Sequence, residues 1–141
     1  MQHFKQTNLD TNILKAISEM GFKTPTPIQA KTIPHLMNSN LDLIATAQTG
    51  TGKTAAFGLP SIHLTNLKYN DTQTLVLCPT RELCIQIAKD LAKYSKYLNG
   101  LNILAVYGGS DIKTQIKSLN KGAHIVIGTP GRTKDLIKRK K

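Results

Sequence analysis

Four short apolar runs recur along the chain, at Leu43 to Thr46, Leu75 to Cys78, Ile103 to Tyr107 and Ile125 to Ile127, and longer segments of helical periodicity separate them. Each run closes on Gly, Pro, Ser or Thr, as buried strands do. Strand, helix, strand at intervals of roughly thirty residues is the spacing of βαβ crossovers. The expected fold class is therefore α/β, a parallel sheet with helices on both faces. Ligands of such sheets bind at the carboxyl ends of the strands.

Capping signals place the helices. Asp10 is an N-cap, Ile13, Leu14, Ile17 and Met20 share one face of the helix that follows, and Gly21 stops it. Thr26 caps a second helix with Pro27 in its first position, and Pro34 either kinks that helix or starts another. Further helices are expected over Lys53 to Leu67, Glu82 to Tyr97, Ile112 to Asn120 and Gly131 to Lys138, the first of them bent at Pro60.

The totals narrow the class. At 141 residues the chain has room for one domain or less, and 40% hydrophobic with 19% charged residues is too apolar for disorder. Nineteen Lys and Arg against eight acids leave a formal charge of +11, which suits a polyanionic partner without saying which. The two cysteines, Cys78 and Cys84, form neither a zinc spacing nor a bridge framework, and the four histidines are scattered. With no apolar signal core and no run long enough to span a bilayer, a soluble, cytoplasmic protein is expected.

Between the first strand run and the helix at Lys53 stands Ala47, Gln48, Thr49, Gly50, Thr51, Gly52, Lys53, Thr54, a phosphate-loop pattern that opens with Ala in place of the usual Gly. Gly50 and Gly52 let backbone N–H groups turn around a phosphate, and the helix N-terminus adds partial positive charge. Lys53 would reach the outer phosphates and the Thr54 hydroxyl would hold Mg²⁺.

Further blocks resemble those of one family, the DEAD-box RNA helicases. Gly21 to Gln29 (GFKTPTPIQ) resembles the Q motif, with Phe4 in the place of that family's isolated upstream aromatic, 17 residues before Gly21. Ala47 to Thr54 is similar to the family's phosphate loop, which tolerates Ala at its first position. Pro79, Thr80, Arg81, Glu82, Leu83 resembles motif Ia, Gly108 and Gly109 the glycine pair, and Thr129, Pro130, Gly131, Arg132 motif Ib. The blocks follow the family order over essentially the whole chain and lean toward the bacterial cold-shock and RNA-decay members. Thr133 departs from the bulky apolar residue common after motif Ib, which bears on local helix packing.

The resemblance implies a RecA-like phosphate-loop domain, incomplete at its C-terminus, with residues 1–30 as a Q-motif region and 31–141 as part of the ATP-binding domain. It implies Mg-ATP as cofactor, RNA as partner and a second RecA-like domain. Gln29 would select adenine through a bidentate pairing that guanine frustrates. Phe4 would stack on the base with Phe22 packing near it, and Thr26 would join the ATP-binding residues. Pro79, Thr80, Arg81, Gly108, Gly109, Thr129, Pro130, Gly131 and Arg132 would meet the RNA backbone, reading no sequence. Taken singly, each has a plainer account: Gln29 as a first-turn polar residue, Thr26 as a cap, the Phe rings as core, the rest as turns.

None of the eight acids ends an apolar strand run or adjoins another acid, so no carboxylate is placed to hold Mg²⁺ for hydrolysis. The parent enzyme is expected to couple ATP turnover to local unwinding of RNA. The chain by itself is expected to bind without turnover; the alternative is a non-catalytic nucleotide- and RNA-binding module or a truncated regulator.

Overall fold

The computed structural model describes residues 3–141. They form two compact units, one comprising the residues up to Leu64 together with Lys93–Asn99, the other Thr65–Ala92 with Gly100–Lys141.

The first unit holds a 3-10 turn η1 (Phe4–Thr7) and helices α1 (Thr11–Glu19), α2 (Pro27–Asn38) and α3 (Lys53–Leu64). The Asp10 carboxylate accepts from the Asn12 N–H at 2.7 Å, capping α1 as expected, while Ile13 and Ile17 are buried. Met20 falls beyond the helix end and is 39% exposed, so the apolar face is one residue shorter than the periodicity suggests. Gly21, at φ +83°, closes α1 in the left-handed region that a glycine enters freely. α2 runs unbroken through Pro34 to Asn38 and packs on α3, with Ile33 and Leu59 fully buried. Pro60 is buried inside α3.

The strand expected at Leu43 to Thr46 does not form. No strand among the described residues pairs with it, Leu43 is 39% exposed and Ile44 96%. A strand exists through its ladder, and an apolar run without a hydrogen-bonding neighbour stays irregular whatever its propensity.

The second unit is built on strands β1 (Thr74–Leu77), β2 (Ile103–Val106) and β3 (Ile125–Gly128), with α4 (Arg81–Tyr94), α5 (Ile112–Asn120) and α6 (Pro130–Lys138) between and after them; the last two residues of α4 belong to the first unit. The sheet is parallel in the order β1-β3-β2, and Leu77 and Val106 both lie in register with Gly128. The central β3 is buried at all four positions, whereas the edge strand β1 leaves Leu75 48% and Leu77 57% exposed. Val106, Ala123, Val126 and Leu136 form a core against which Ile112, Ile116 and Leu119 of α5 pack. The registers carry a functional consequence, because all three strands end at one edge and release their following loops side by side.

Two helices stop earlier than their patterns suggest, at Leu64 and Tyr94 rather than Leu67 and Tyr97. Past α3, the Asn66 N–H donates to Gln73 Oε1 and Gln73 Nε2 donates to the Asn66 carbonyl, both at 2.8 Å, a side-chain clasp that competes with further helical turns.

Candidate functional site

The first unit assembles the phosphate-loop residues with the Q-motif block. Gly50 and Gly52 take φ of +81° and +84° and turn the chain into α3, whose first residue is Lys53. Among the described residues no acceptor meets the backbone N–H groups of Gly50, Gly52, Lys53 or Thr54. These are the orphan donors that a helix N-terminus offers to an anion. Space beside the Gly50 Cα is open. The Thr51 hydroxyl donates to the Gln48 carbonyl at 2.7 Å, and the Lys53 ammonium donates to the carbonyls of Ala47 at 2.5 Å and Gln48 at 2.7 Å. The loop thus holds its own lysine on its own backbone, and Thr49 and Lys53 remain exposed. Free N–H donors, an ammonium on short reach and the Thr54 hydroxyl at the helix start form a donor set that fits a nucleotide phosphate with its Mg²⁺.

Gln29 is 3% exposed in the first turn of α2. Its Oε1 accepts from the Thr26 N–H at 3.0 Å, and its Nε2 donates to the Gly52 carbonyl at 3.1 Å. The Thr26 hydroxyl donates to the Thr51 carbonyl at 2.8 Å. The cap of α2 therefore grips the phosphate loop directly. A Cβ on Gly52 would stand 2.3 Å from Gln29 Nε2, so a larger residue here would displace that buried amide as well as meet an unfavourable φ. Capping and loop contact coexist in the same two side chains, whereas sequence reasoning weighed a first-turn role only against a place in the nucleotide site.

Phe4 is buried and packs on half-buried Phe22, ring centroids 5.9 Å apart, and Phe22 meets Tyr94 edge-on at 6.0 Å. Phe4 and Phe22 line a cleft of about 830 Å³ with Lys5, Lys15 and Lys23 near it; Gln29 is not among its lining residues.

In the second unit the three blocks that sequence reasoning assigned to RNA leave the carboxyl edge of the sheet together. Pro79 and Thr80 follow β1; the Thr80 hydroxyl accepts from the Leu83 N–H at 3.2 Å and so caps α4. The exposed Arg81 guanidinium lies over the Tyr107 ring at 5.0 Å, and its Nη1 would be 3.6 Å from a Cβ on Gly109. Gly108 and Gly109 follow β2, Gly109 at φ +76°. Thr129 precedes α6, its N–H donating to the Val106 carbonyl at 3.1 Å, with Pro130 at the first helical position and Gly131 exposed in that turn. Arg132 donates through Nη1 to Gln115 Oε1 at 2.7 Å and through Nη2 to the Ser110 carbonyl at 3.0 Å.

Sequence reasoning missed Gln115. The available signal was a polar residue on the apolar stripe of α5, between Ile112, Ile116 and Leu119. Thr133, singled out for its departure from the family pattern, is 8% exposed, its hydroxyl unpaired among the described residues and pressed toward Gly128. Cys78 and Cys84 are buried with Sγ atoms 2.9 Å apart, and burial first, then the Cys78 contact, pushes the Cys84 thiol up to about 12. Both behave as packing residues.

A family model for the DEAD/DEAH box helicase matches residues 26–141. The chain is 54% identical over 99% of its length to the ATP-dependent RNA helicase CshA of Listeria monocytogenes, and 45% identical over 96% to the ATP-dependent RNA helicase DeaD of Escherichia coli. It spans 26% and 22% of those two relatives. Among solved structures it is similar to a DEAD box protein from the hyperthermophile Methanococcus jannaschii, with a TM-score of 0.93 and 45% identity over 99% of this chain and 38% of that one. A hypothetical ATP-dependent RNA helicase from Sulfolobus tokodaii aligns at a TM-score of 0.80 and 38% identity, over 93% of this chain and 37% of that one. The RecA-like α/β architecture is that of these structures, and the chain belongs to the DEAD/DEAH box helicase family.

Proposed function

We propose that this chain binds Mg-ATP through its first unit and RNA through its second, as the N-terminal part of an ATP-dependent RNA helicase that works in the cytoplasm with a second RecA-like domain. The observation that carries the reading is the joint of Thr26 and Gln29 with the phosphate loop, which puts a candidate base-reading amide on the carbonyl of Gly52, next to Lys53. The backbone N–H groups of Gly50 to Thr54 would hold the phosphates, and the Thr54 hydroxyl would face Mg²⁺. Lys53 would exchange the carbonyls of Ala47 and Gln48 for phosphate oxygens, trading a charge–dipole contact for a charge–charge one. Gln29 would read adenine, with Phe4 stacking on the base and Phe22 packing near Phe4. Bound Mg-ATP supplies the phosphoryl chemistry, and the protein supplies position and charge.

On the sheet edge, Thr80, Arg81, Gly108, Gly109, Thr129, Gly131 and Arg132 present guanidinium groups and close backbone approaches, which suit phosphates of many RNA sequences. A second reading, a nucleotide- and RNA-binding module or truncated regulator without a catalytic role, has in its favour that four of the eight carboxylates are already engaged in structural contacts. Asp10 and Asp111 cap helices, Glu19 pairs with Lys96 and Asp135 with Arg139.

Fluorescence-anisotropy titrations of labelled RNAs of unrelated sequence, at several salt concentrations, test the RNA assignment. Binding should tolerate sequence and weaken steeply with salt, and Arg81→Ala should lower the salt slope by about one phosphate contact. An unchanged slope would leave only diffuse attraction to lysines. A phosphate-release assay with and without RNA, beside Lys53→Ala, checks that turnover by the chain alone stays at background, as both readings expect; RNA-stimulated turnover that disappears in the variant would refute that expectation.

A further inference from the structure

One buried polar side chain of the second unit has no part in the reading above. Gln115 is 6% exposed on α5, and an amide on an apolar stripe costs free energy unless its groups are matched. They are matched by the candidate RNA elements themselves. Its Nε2 donates to the Tyr107 carbonyl at 3.2 Å, and its Oε1 accepts from Arg132 Nη1 at 2.7 Å. Arg132 Nη2 in turn donates to the Ser110 carbonyl at 3.0 Å. Tyr107 and Ser110 flank the Gly108, Gly109 turn, so one amide and one guanidinium join both ends of that turn to the first turn of α6. Arg81 lies over the Tyr107 ring, which brings the third block into the same assembly.

The amide has one acceptor end and one donor end, and only this orientation matches a guanidinium on one side and a carbonyl on the other. Two of Arg132's five N–H groups are used here, which leaves three for a ligand.

We propose that Gln115 is a positioning residue of the RNA face, fixing Arg132 and the Gly108, Gly109 turn relative to one another so that both meet one strand's backbone together. Gln115 itself touches no RNA. The proposal rests on the RNA assignment given above.

The test is the anisotropy titration with a labelled single-stranded oligoribonucleotide across a salt series, on the wild-type chain, Gln115→Met, Arg132→Ala and the double variant. Met keeps the side-chain volume and helix propensity while removing both hydrogen bonds. Gln115→Met should lower the salt slope by about 0.7, one phosphate's worth on a single strand, as should Arg132→Ala. The double variant should lose no more than either alone, because both remove the same contact. Gln115→Leu serves if Met does not fold: it also removes both hydrogen bonds and adds no charge, so the slope should fall equally with the circular-dichroism spectrum intact. An unchanged slope in a folded variant, or additive losses in the double, overturns the positioning role. Salt-insensitive or absent binding by the wild type would instead refute the RNA assignment on which it rests.

Discussion

Replacing Gly52 by alanine should do two separable kinds of damage. The residue sits at φ +84°, where a non-glycine costs roughly 1–2 kcal/mol. The new Cβ would also stand 2.3 Å from Gln29 Nε2, so the amide must withdraw and give up its 3.1 Å bond to the Gly52 carbonyl. A buried amide deprived of its partner adds about 1–3 kcal/mol. Gly50→Ala is the internal control, because Gly50 has nearly the same φ of +81° but nothing within 4 Å of an added Cβ. The expected costs are thus about 1–2 kcal/mol for Gly50→Ala and roughly 2–5 kcal/mol for Gly52→Ala. Urea unfolding followed by circular dichroism measures both. A Gln29→Ala background should bring the cost of Gly52→Ala down to that of Gly50→Ala, since only backbone strain remains. Equal costs in the wild-type background, or no relief in the Gln29→Ala background, would refute the claim that Gln29 and Gly52 form a space-limited joint.

Thr133→Val should raise the urea midpoint, by about 1 kcal/mol of stability, because it removes a buried unpaired hydroxyl at nearly constant volume; a lower midpoint would mean that the hydroxyl has a partner. The Asp111 carboxyl is held below its usual range, first by the Thr114 hydroxyl and then by the N–H groups of Lys113 and Thr114. A depressed carboxyl contributes stability above its ordinary pKa and loses it as pH falls through the lowered value, so wild type and Asp111→Asn should converge as acid protonates the cap. A stability difference that stays constant across the acid range would contradict this account of the α5 cap.

The fold was legible where local signals and packing agree. Asp111 before Ile112 and the stripe of Ile112, Ile116 and Leu119 define α5 at both ends. The buried β3 announces itself as Ile125, Val126, Ile127. The run at Leu43 misled because composition reports a taste for burial, while a strand also needs a neighbour at hydrogen-bonding distance. Residue types and spacing picked out the candidate phosphate loop, since Gly50 and Gly52 set its backbone locally, at φ of +81° and +84°. They could not place Arg132, whose partners are a carbonyl on a neighbouring loop and an amide 17 residues away. Nor could they reveal that Gln29 and Thr26 reach across more than twenty residues to the same loop.

The central claim is that the loop around Lys53, gripped by Gln29, is an adenine-nucleotide site. Calorimetric titration of ATP, ADP and GTP into the wild-type chain, Lys53→Ala and Gln29→Ala tests it most directly, with circular dichroism checking that each variant is folded. Lys53→Ala should abolish binding of ATP and ADP alike, and Gln29→Ala should weaken ATP far more than GTP. Retained affinity in Lys53→Ala, or equal loss of both nucleotides in Gln29→Ala, would contradict the account.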